Sequence, residues 1–248
     1  MTQPITIALD GPAASGKTTV GERLAQQLNY LLFDTGVMYR AATLMALQRG
    51  TCIEDEAAVT TLAKELIIDV QPPTTDDGRL YTVLANGQDV THDIRSSNVD
   101  ANVSPVSAYA GVRTALTEQQ RRIGARGRVV MVGRDVGTVV LPEADLKIYL
   151  DASPEERAHR RLKDCQARGE ELTYRQVLAA VLRRDRIDSG REHAPLRPAE
   201  DAVVIDSTGL SVEQVLKRIE DADEQVRAPR PNCSGGGAGG RDRFAAGR

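Results

Sequence analysis

The chain has 248 residues, enough for one α/β domain with insertions or for two small domains. Hydrophobic residues make up 41% and charged residues 27%, an ordinary globular balance, while aromatics are only 3% with no Trp, which argues against a groove that stacks the bases of a single strand. The formal net charge is -3, without the basic excess of a polynucleotide binder, so no nucleic-acid partner is expected.

Ile5–Leu9 is a short apolar run that stops at Asp10-Gly11, the pattern of a buried parallel strand. Gly11-Pro12-Ala13-Ala14-Ser15-Gly16-Lys17-Thr18 follows and matches G-x-x-x-x-G-K-[ST] without a gap. From Lys17 to Leu28, Val20, Leu24 and Leu28 recur at helical spacing, so the motif has the strand–loop–helix context it needs. Gly11 and Gly16 allow a tight turn with the N–H groups facing inward, and the helix start adds the positive end of its dipole. Lys17 can reach β- and γ-phosphates, and the Thr18 hydroxyl is placed for Mg2+. The expected ATP contacts are therefore Gly11 to Thr18 and the adjoining Thr19. At this point a GTPase, a motor ATPase and a small-molecule kinase all remain open.

Leu31–Phe33 reads as a second strand running into Asp34-Thr35-Gly36, with a helix from Val37 to Gln48 closed by Gly50. Asp34 and Thr35 point into a crevice at the strand end, or cap the helix, or both. Arg40 lies one turn into that helix, where a guanidinium can pair bidentately with a phosphate. Asp55–Leu66 is helical; Ile67–Val70, Leu80–Leu84 and a stretch near Asp89–Thr91 read as strands punctuated by Pro72-Pro73, Asp77-Gly78 and Asn86-Gly87. Ile67–Arg95 is thus expected to be a small antiparallel insertion.

Pro105–Ile123 looks helical, and Val129–Val132 ends at Gly133-Arg134-Asp135, a charged pair that is either a site or a structural ion pair. Leu146–Leu150 ends at Asp151, Glu155–Gly169 and Thr173–Ile187 form two charged helices, Val203–Ile205 is a last strand and Ser211–Glu224 a last helix. Strands alternating with helices imply a parallel sheet with ligands beyond its carboxyl ends. Arg157, Arg160 and Arg161, then Arg183, Arg184, Arg186 and Arg191 with Asp185 and Asp188 among them, form either a solvated helix face or a cationic lid. A lid would bring charge to a transferring phosphoryl group while excluding water. No run of four apolar residues ends in a metal-binding Asp with a downstream hydrolytic Glu, and no Asn-Lys-x-Asp is present; both favour a small kinase. Cys52, Cys165 and Cys233 lack CxxC spacing and His92, His159 and His193 are dispersed, which suits free thiols in a reducing compartment rather than zinc. No apolar run approaches about 18 residues, and Met1–Leu9 reads as a strand rather than a leader, so a cytoplasmic, membrane-free protein is expected. The Gly-, Arg- and Pro-rich tail from Arg227 is expected to be disordered, with a weak basic contact arm as the alternative.

Together Ile7-Ala-Leu-Asp-Gly-Pro-Ala-Ala-Ser-Gly-Lys-Thr18, Phe33-Asp-Thr-Gly-Val-Met-Tyr-Arg40, Val132-Gly-Arg-Asp-Val-Gly-Thr-Val-Val140, Asp151-Ala-Ser-Pro-Glu-Glu-Arg-Ala-His-Arg-Arg161 and Arg184-Asp-Arg-Ile-Asp-Ser-Gly-Arg191 resemble the bacterial cytidylate kinase family over Ile5–Val226. The resemblance implies an α/β P-loop NTPase core with a parallel sheet flanked by helices, over residues 1–36, 124–152 and 192–226. It implies an acceptor region over 37–123 carrying the β insertion, a helical lid over 153–191, and nothing for the tail over 227–248. It also implies transfer of the ATP γ-phosphoryl to CMP or dCMP with Mg2+. Asp34, Thr35, Gly36, Arg40, Arg113 and Asp135 would lie around the acceptor nucleotide. Ser104, Arg113 and Asp188 would read the cytosine and its surroundings, with Asp188 and Asp135 also serving the sugar. Arg134, Arg184 and Arg191 would bind phosphate and, with Lys17, spread the charge of an in-line transfer; Arg157 joins the ATP set from the lid. The rival readings are a P-loop kinase of another acceptor, such as dTMP, shikimate or a nucleoside, and a nucleotide-dependent RNA-associated factor. A monomer is expected, since no long heptad or apolar stripe stands out.

Overall fold

The structure, a computed structural model, describes residues 5–167 and 169–227. In chain order the elements are β1 (Thr6–Asp10), α1 (Lys17–Leu28), β2 (Leu31–Asp34), α2 (Gly36–Gln48), α3 (Glu56–Glu65), β3 (Ile68–Gln71), β4 (Thr82–Ala85) and β5 (Gln88–Asp89). They continue with α4 (Ser97–Val106), α5 (Ala110–Gly124), β6 (Val129–Val132), β7 (Leu146–Asp151), α6 (Pro154–Ala167), α7 (Tyr174–Ser189), β8 (Val203–Asp206) and α8 (Val212–Arg227). A 3-10 turn at Asp93–Arg95 precedes α4, and a π-helical turn at Val136–Val140 follows β6.

The main sheet has the order β2-β6-β1-β7-β8, with every pair parallel. β1 lies at its centre, where both faces are covered by helices. That is why Ile7, Ala8 and Leu9 are all buried and the strand reads as a continuous apolar run. Registers such as Leu9↔Val132 and Asp10↔Tyr149 bring the carboxyl ends of the strands to one edge, and the loops that follow them form the site.

Local signals account for most boundaries. α1 starts at Gly16 (φ 94°) and ends at Asn29 (φ 56°), whose left-handed backbone lets its N–H reach the Ala25 and Gln26 carbonyls. Asp55 caps α3 by accepting the Ala58 N–H, and Thr173 with Gln176 forms a reciprocal capping box at α7. The second sheet, β3-β4-β5, is antiparallel. Its β4–β5 turn is Asn86-Gly87, with φ 50° and 82°, the double positive φ of a two-residue hairpin. Asp77-Gly78 instead sits in the longer loop between β3 and β4. There Arg79 holds the Asp77 carboxylate from two nitrogens and reaches Asp89 on β5.

The single helix expected over Pro105–Ile123 is two helices. α4 begins earlier, at Ser97, and runs only to Val106; Ser107–Tyr109 turns the chain before α5. Pro105 lies in the last turn of α4 and accepts the Ala108 N–H. Apart from Ala101, the rest of α4 is Ser, Asn, Asp and Val, weak helix formers, so it is held by packing on α2 rather than by propensity. A small apolar cluster of Ala158, Val177 and Val181 joins α6 to α7 apart from the main core. The expectation of a disordered tail concerns residues outside those described.

Candidate functional site

The loop between β1 and α1 is a cradle, closed on itself by Ser15 N–H donating to Pro12 O at 3.4 Å. A Cβ on Gly11 (φ 147°) would lie 2.0 Å from the Leu150 carbonyl oxygen, so only glycine fits there. Gly16 offers no side-chain cap, which leaves the first-turn N–H groups of α1 open to an anion. The loop carbonyls are taken up from behind: Arg157 Nη1 donates to Ala13 O (3.2 Å), and Arg160 Nη1 and Ser207 Oγ both donate to Ser15 O (3.1 Å each). Lys17 folds back onto the loop, donating to Pro12 O at 2.6 Å. Burial, together with the Arg134 charge, pushes its ammonium well below the usual lysine range, while Asp34, Asp10 and Asp188 pull the other way. A polyphosphate would supply the missing negative charge. Thr18 and Thr19 are exposed on the first turn of α1.

Opposite the cradle the residues expected around the acceptor converge from five elements. Thr35 Oγ1 donates to Val132 O, tying the end of β2 to β6, and Asp34 Oδ1 accepts the Gly36 N–H across the strand-to-helix turn. Arg40 on α2 pairs with Asp100 at 2.6 Å and donates to Ile94 O. Arg113 on α5 donates to Asp135 Oδ2 at 2.6 Å and lies over the Tyr39 ring, 5.6 Å from its centroid. Asp188, wholly buried, receives Arg134 Nε at 2.8 Å, Arg184 Nε at 3.1 Å and Arg191 Nη2 at 2.5 Å. Burial raises the Asp188 carboxyl, but the three guanidiniums outweigh it and hold the group below its ordinary value. Arg184 Nη1 also donates to Ser104 Oγ (2.8 Å), so α7 reaches across to α4. Three cations around one carboxylate leave an excess of positive charge, and the buried Arg191 Nε has no hydrogen-bond partner among the described residues. A cavity of about 450 Å³ opens beside Arg113, lined also by Thr117, Arg121, Val139 and His193.

The structure therefore brings Arg134, Asp135, Arg184, Asp188, Arg191, Arg113 and Ser104 into one cluster next to Lys17. Arg40, Asp34, Thr35 and Gly36 flank it. Arg157 stands behind the phosphate loop, 3% exposed, with its donors on Ala13, Ala152 and the Asp185 carboxylate. Sequence reasoning gave Asp10 and Ser207 no role, although both stand at the carboxyl end of a strand, and passed over Asp100. Asp10 had a signal, its place between a buried strand and Gly11; burial pushes its carboxyl up to about 6 despite backbone hydrogen bonds from Gly137 and Val136. Asp100 had none, because nothing in the chain order shows that it meets Arg40.

The cytidylate kinase family model matches residues 7–225. The chain is similar to the cytidylate kinase of Herpetosiphon aurantiacus, 52% identical over 219 residues that cover 88% of this chain and 94% of that one. It is also similar to the cytidylate kinase of Chloroflexus aggregans, 52% identical over 230 residues covering 91% and 98%. Among solved structures, an uncharacterized protein from Eubacterium ventriosum superposes with a TM-score of 0.50 at 11% identity, covering 89% of this chain and 98% of its own, a likeness of fold alone.

Proposed function

The chain belongs to the cytidylate kinase family, it transfers the γ-phosphoryl group of ATP to CMP or dCMP, and we propose that the two facing clusters divide this reaction between them. The observation that carries the division is the gathering of Arg134, Arg184 and Arg191 on Asp188, close enough to Lys17 for Arg134 and Asp188 to act on its charge. The loop Gly11–Thr18 holds the donor phosphates through backbone N–H groups and Lys17. Arg157 acts through the loop it braces. Arg40, Arg134 and Arg191 take the acceptor phosphate, and Arg184 closes from the lid.

Mg2+, which such a donor carries, neutralises phosphate charge; Thr18 suits it, a hydroxyl exposed on the first helical turn beside the cradle. The acceptor phosphate is already anionic near neutral pH, so no side chain has to remove a proton from it. The work left to the protein is alignment and charge stabilisation. Lys17 must leave Pro12 O, and the arginines must exchange Asp188 for phosphate oxygens. Asp188 and Asp135 are then free to meet the sugar, with Ser104 and Arg113 toward the cytosine. We assign α6 and α7 to the lid and α2–α5 with the small sheet to the acceptor side. We also place the protein in the cytoplasm as a monomer; no helix among the described residues is long and apolar enough to cross a membrane.

The test is an ADP-release assay with Mg-ATP against CMP, dCMP, UMP, AMP, GMP and dTMP. Turnover should be strongest with CMP and dCMP, and Lys17→Ala should lower it by about two orders of magnitude or more. Undiminished turnover in Lys17→Ala would remove the lysine from the mechanism.

A further inference from the structure

We propose that Asp10 is a positioning residue of the transfer reaction: its carboxylate clamps the Arg134-Asp135 arch to the end of the strand that launches the phosphate loop. The proposal rests on the assignment of Arg134 to the phosphate side of the site.

The arch has two feet, and both stand on β1. On the near side, Gly133 N–H donates to Leu9 O at 3.1 Å, continuing the β1–β6 ladder by one residue. There the strand pairing ends. On the far side, Val136 N–H donates to Asp10 Oδ1 at 2.8 Å and Gly137 N–H donates to Asp10 Oδ2 at 2.7 Å. Both oxygens of one buried side chain therefore cap the start of the π-helical turn Val136–Val140, whose own preceding residue, Asp135, provides no side-chain cap. Only Arg134 and Asp135 lie between the feet, and their side chains leave for Asp188 and Arg113.

The neighbouring glycines show how closely the clamp is built. A Cβ on Gly133 would come within 2.6 Å of Val136 Cγ2 and 2.8 Å of Thr35 Oγ1. A Cβ on Gly137 would lie 3.3 Å from the Lys147 side chain and 3.5 Å from Asp10 Oδ2. Gly133 has no room for a larger residue, and at Gly137 a single methyl would already be in van der Waals contact with the carboxylate. Asp10 is itself bonded to Gly11, the first residue of the donor loop. One side chain thus fixes the separation between the donor cradle and the arginine that faces it. An in-line transfer is sensitive to that separation, since a displacement of about 1 Å can cost roughly a hundredfold in rate. Apolar burial alone does not require an ionisable group here. The carboxylate is retained against its desolvation, which fits a role in geometry rather than in packing.

The experiment compares wild type, Asp10→Asn and Gly137→Val for kcat, for KM of CMP and for ATP affinity, the last by equilibrium displacement of a fluorescent ATP analogue. Asp10→Asn keeps one acceptor and loses the other; Gly137→Val leaves Asp10 intact, and its methyls, beyond a Cβ position already 3.3 Å from Lys147 and 3.5 Å from Asp10 Oδ2, push the turn off it. Both should lower kcat about 10- to 100-fold while ATP affinity and KM for CMP move less than about threefold. Asp10→Ala should be worse than Asp10→Asn, the order expected if the number of capped N–H groups matters. If Asp10→Asn does not fold, Gly137→Val decides alone. Unchanged kcat in either folded variant overturns the proposal, and so does a loss of ATP affinity that accounts for the whole defect. Failure of wild-type turnover with CMP would refute the kinase reading instead, so the two failures are told apart by the control.

Discussion

Asp10 and Asp188 are both buried carboxylates within reach of Lys17, and their surroundings push them in opposite directions. Asp188 is held down by three guanidiniums; Asp10 has backbone N–H groups and is raised by burial to about 6. The consequences for stability have opposite sign. Asp188 carries a folded-state value below its unfolded one, so its contribution is present above about pH 4 and is lost as pH falls through the folded value. For Asp10 the folded protein binds the proton more tightly than the unfolded chain does. Its part of the unfolding free energy therefore decreases as pH rises from about 4 to about 6, by on the order of 2–3 kcal/mol. Urea unfolding of wild type and Asp10→Asn at half-unit steps from pH 4 to 8 should show this. The wild type should lose stability relative to the variant across that window and run parallel to it above. Parallel curves throughout would mean that Asp10 titrates as an ordinary exposed carboxyl. Asp188→Asn should do the reverse of relieving strain, because three arginines then face one another without a counter-charge. Removal of such a buried partner costs about 3–5 kcal/mol, read as a lower urea midpoint at pH 7.

Among the elements, α4 is where sequence and structure part most clearly, and the reason bears on the site. The parallel strands were legible because each is a short apolar-rich run closed by an acidic residue or a glycine, even edge strand β8, where Val204 is 58% exposed. Helices with caps, such as α3 behind Asp55 and α7 behind Thr173, were legible from single residues. α4 has only a three-valine stripe (Val99, Val103 and Val106) and no side-chain cap, and Pro105 reads as a helix start when it in fact lies in a last turn. With the helix went its contacts. Ser104, on α4, was legible only by resemblance, and Asp100, one turn before it, not at all. Yet Asp100 holds Arg40 at 2.6 Å, with the two side chains 56% and 32% exposed. An exposed pair of this kind is worth about 0.2–1 kcal/mol, and in the role proposed for Arg40 the acceptor phosphate would displace it. Asp100→Asn should accordingly lower KM for CMP by about 1.5- to 5-fold at low salt and leave kcat unchanged. The gain should fade near 1 M salt, where the Debye length is about 3 Å. Steady-state kinetics at both salt concentrations check this. A rise in KM would mean that Asp100 aims Arg40 at the phosphate instead of competing for it.

At the scale of the whole molecule, the donor half of the site is local in sequence and the acceptor half is assembled. Gly11 to Thr18 can be read from eight consecutive residues; Arg134 and Asp188, which touch, are 54 residues apart, and Arg184 and Ser104 are 80 apart. Periodicity cannot show such pairings, so only the fold reveals that the cations proposed to take phosphate are held by carboxylates of the same chain. The same long-range wiring joins α6 and α7 to the two sides of the site. α6 is fastened to the donor loop by Arg157 and Arg160, and α7 to the acceptor side by Asp188 and Arg184. The two helices meet through a small apolar cluster and through the bidentate pair of Arg157 with Asp185, at 2.9 and 2.6 Å. Since Arg157 is 3% exposed, Asp185→Ala would leave a buried guanidinium without its counter-charge. That should cost about 3–5 kcal/mol, or a fall in Tm of roughly 6–20 °C for a chain of this size. The kinetic signature separates a latch from mere support of the fold. If Arg157 braces Ala13 only while Asp185 orients it, Asp185→Ala should weaken ATP binding more than CMP binding, and Asp185→Glu should restore most of the loss. Equal weakening of both nucleotides, without rescue by Glu, would place the pair among the bonds that hold the lid together rather than those that shape the phosphate loop.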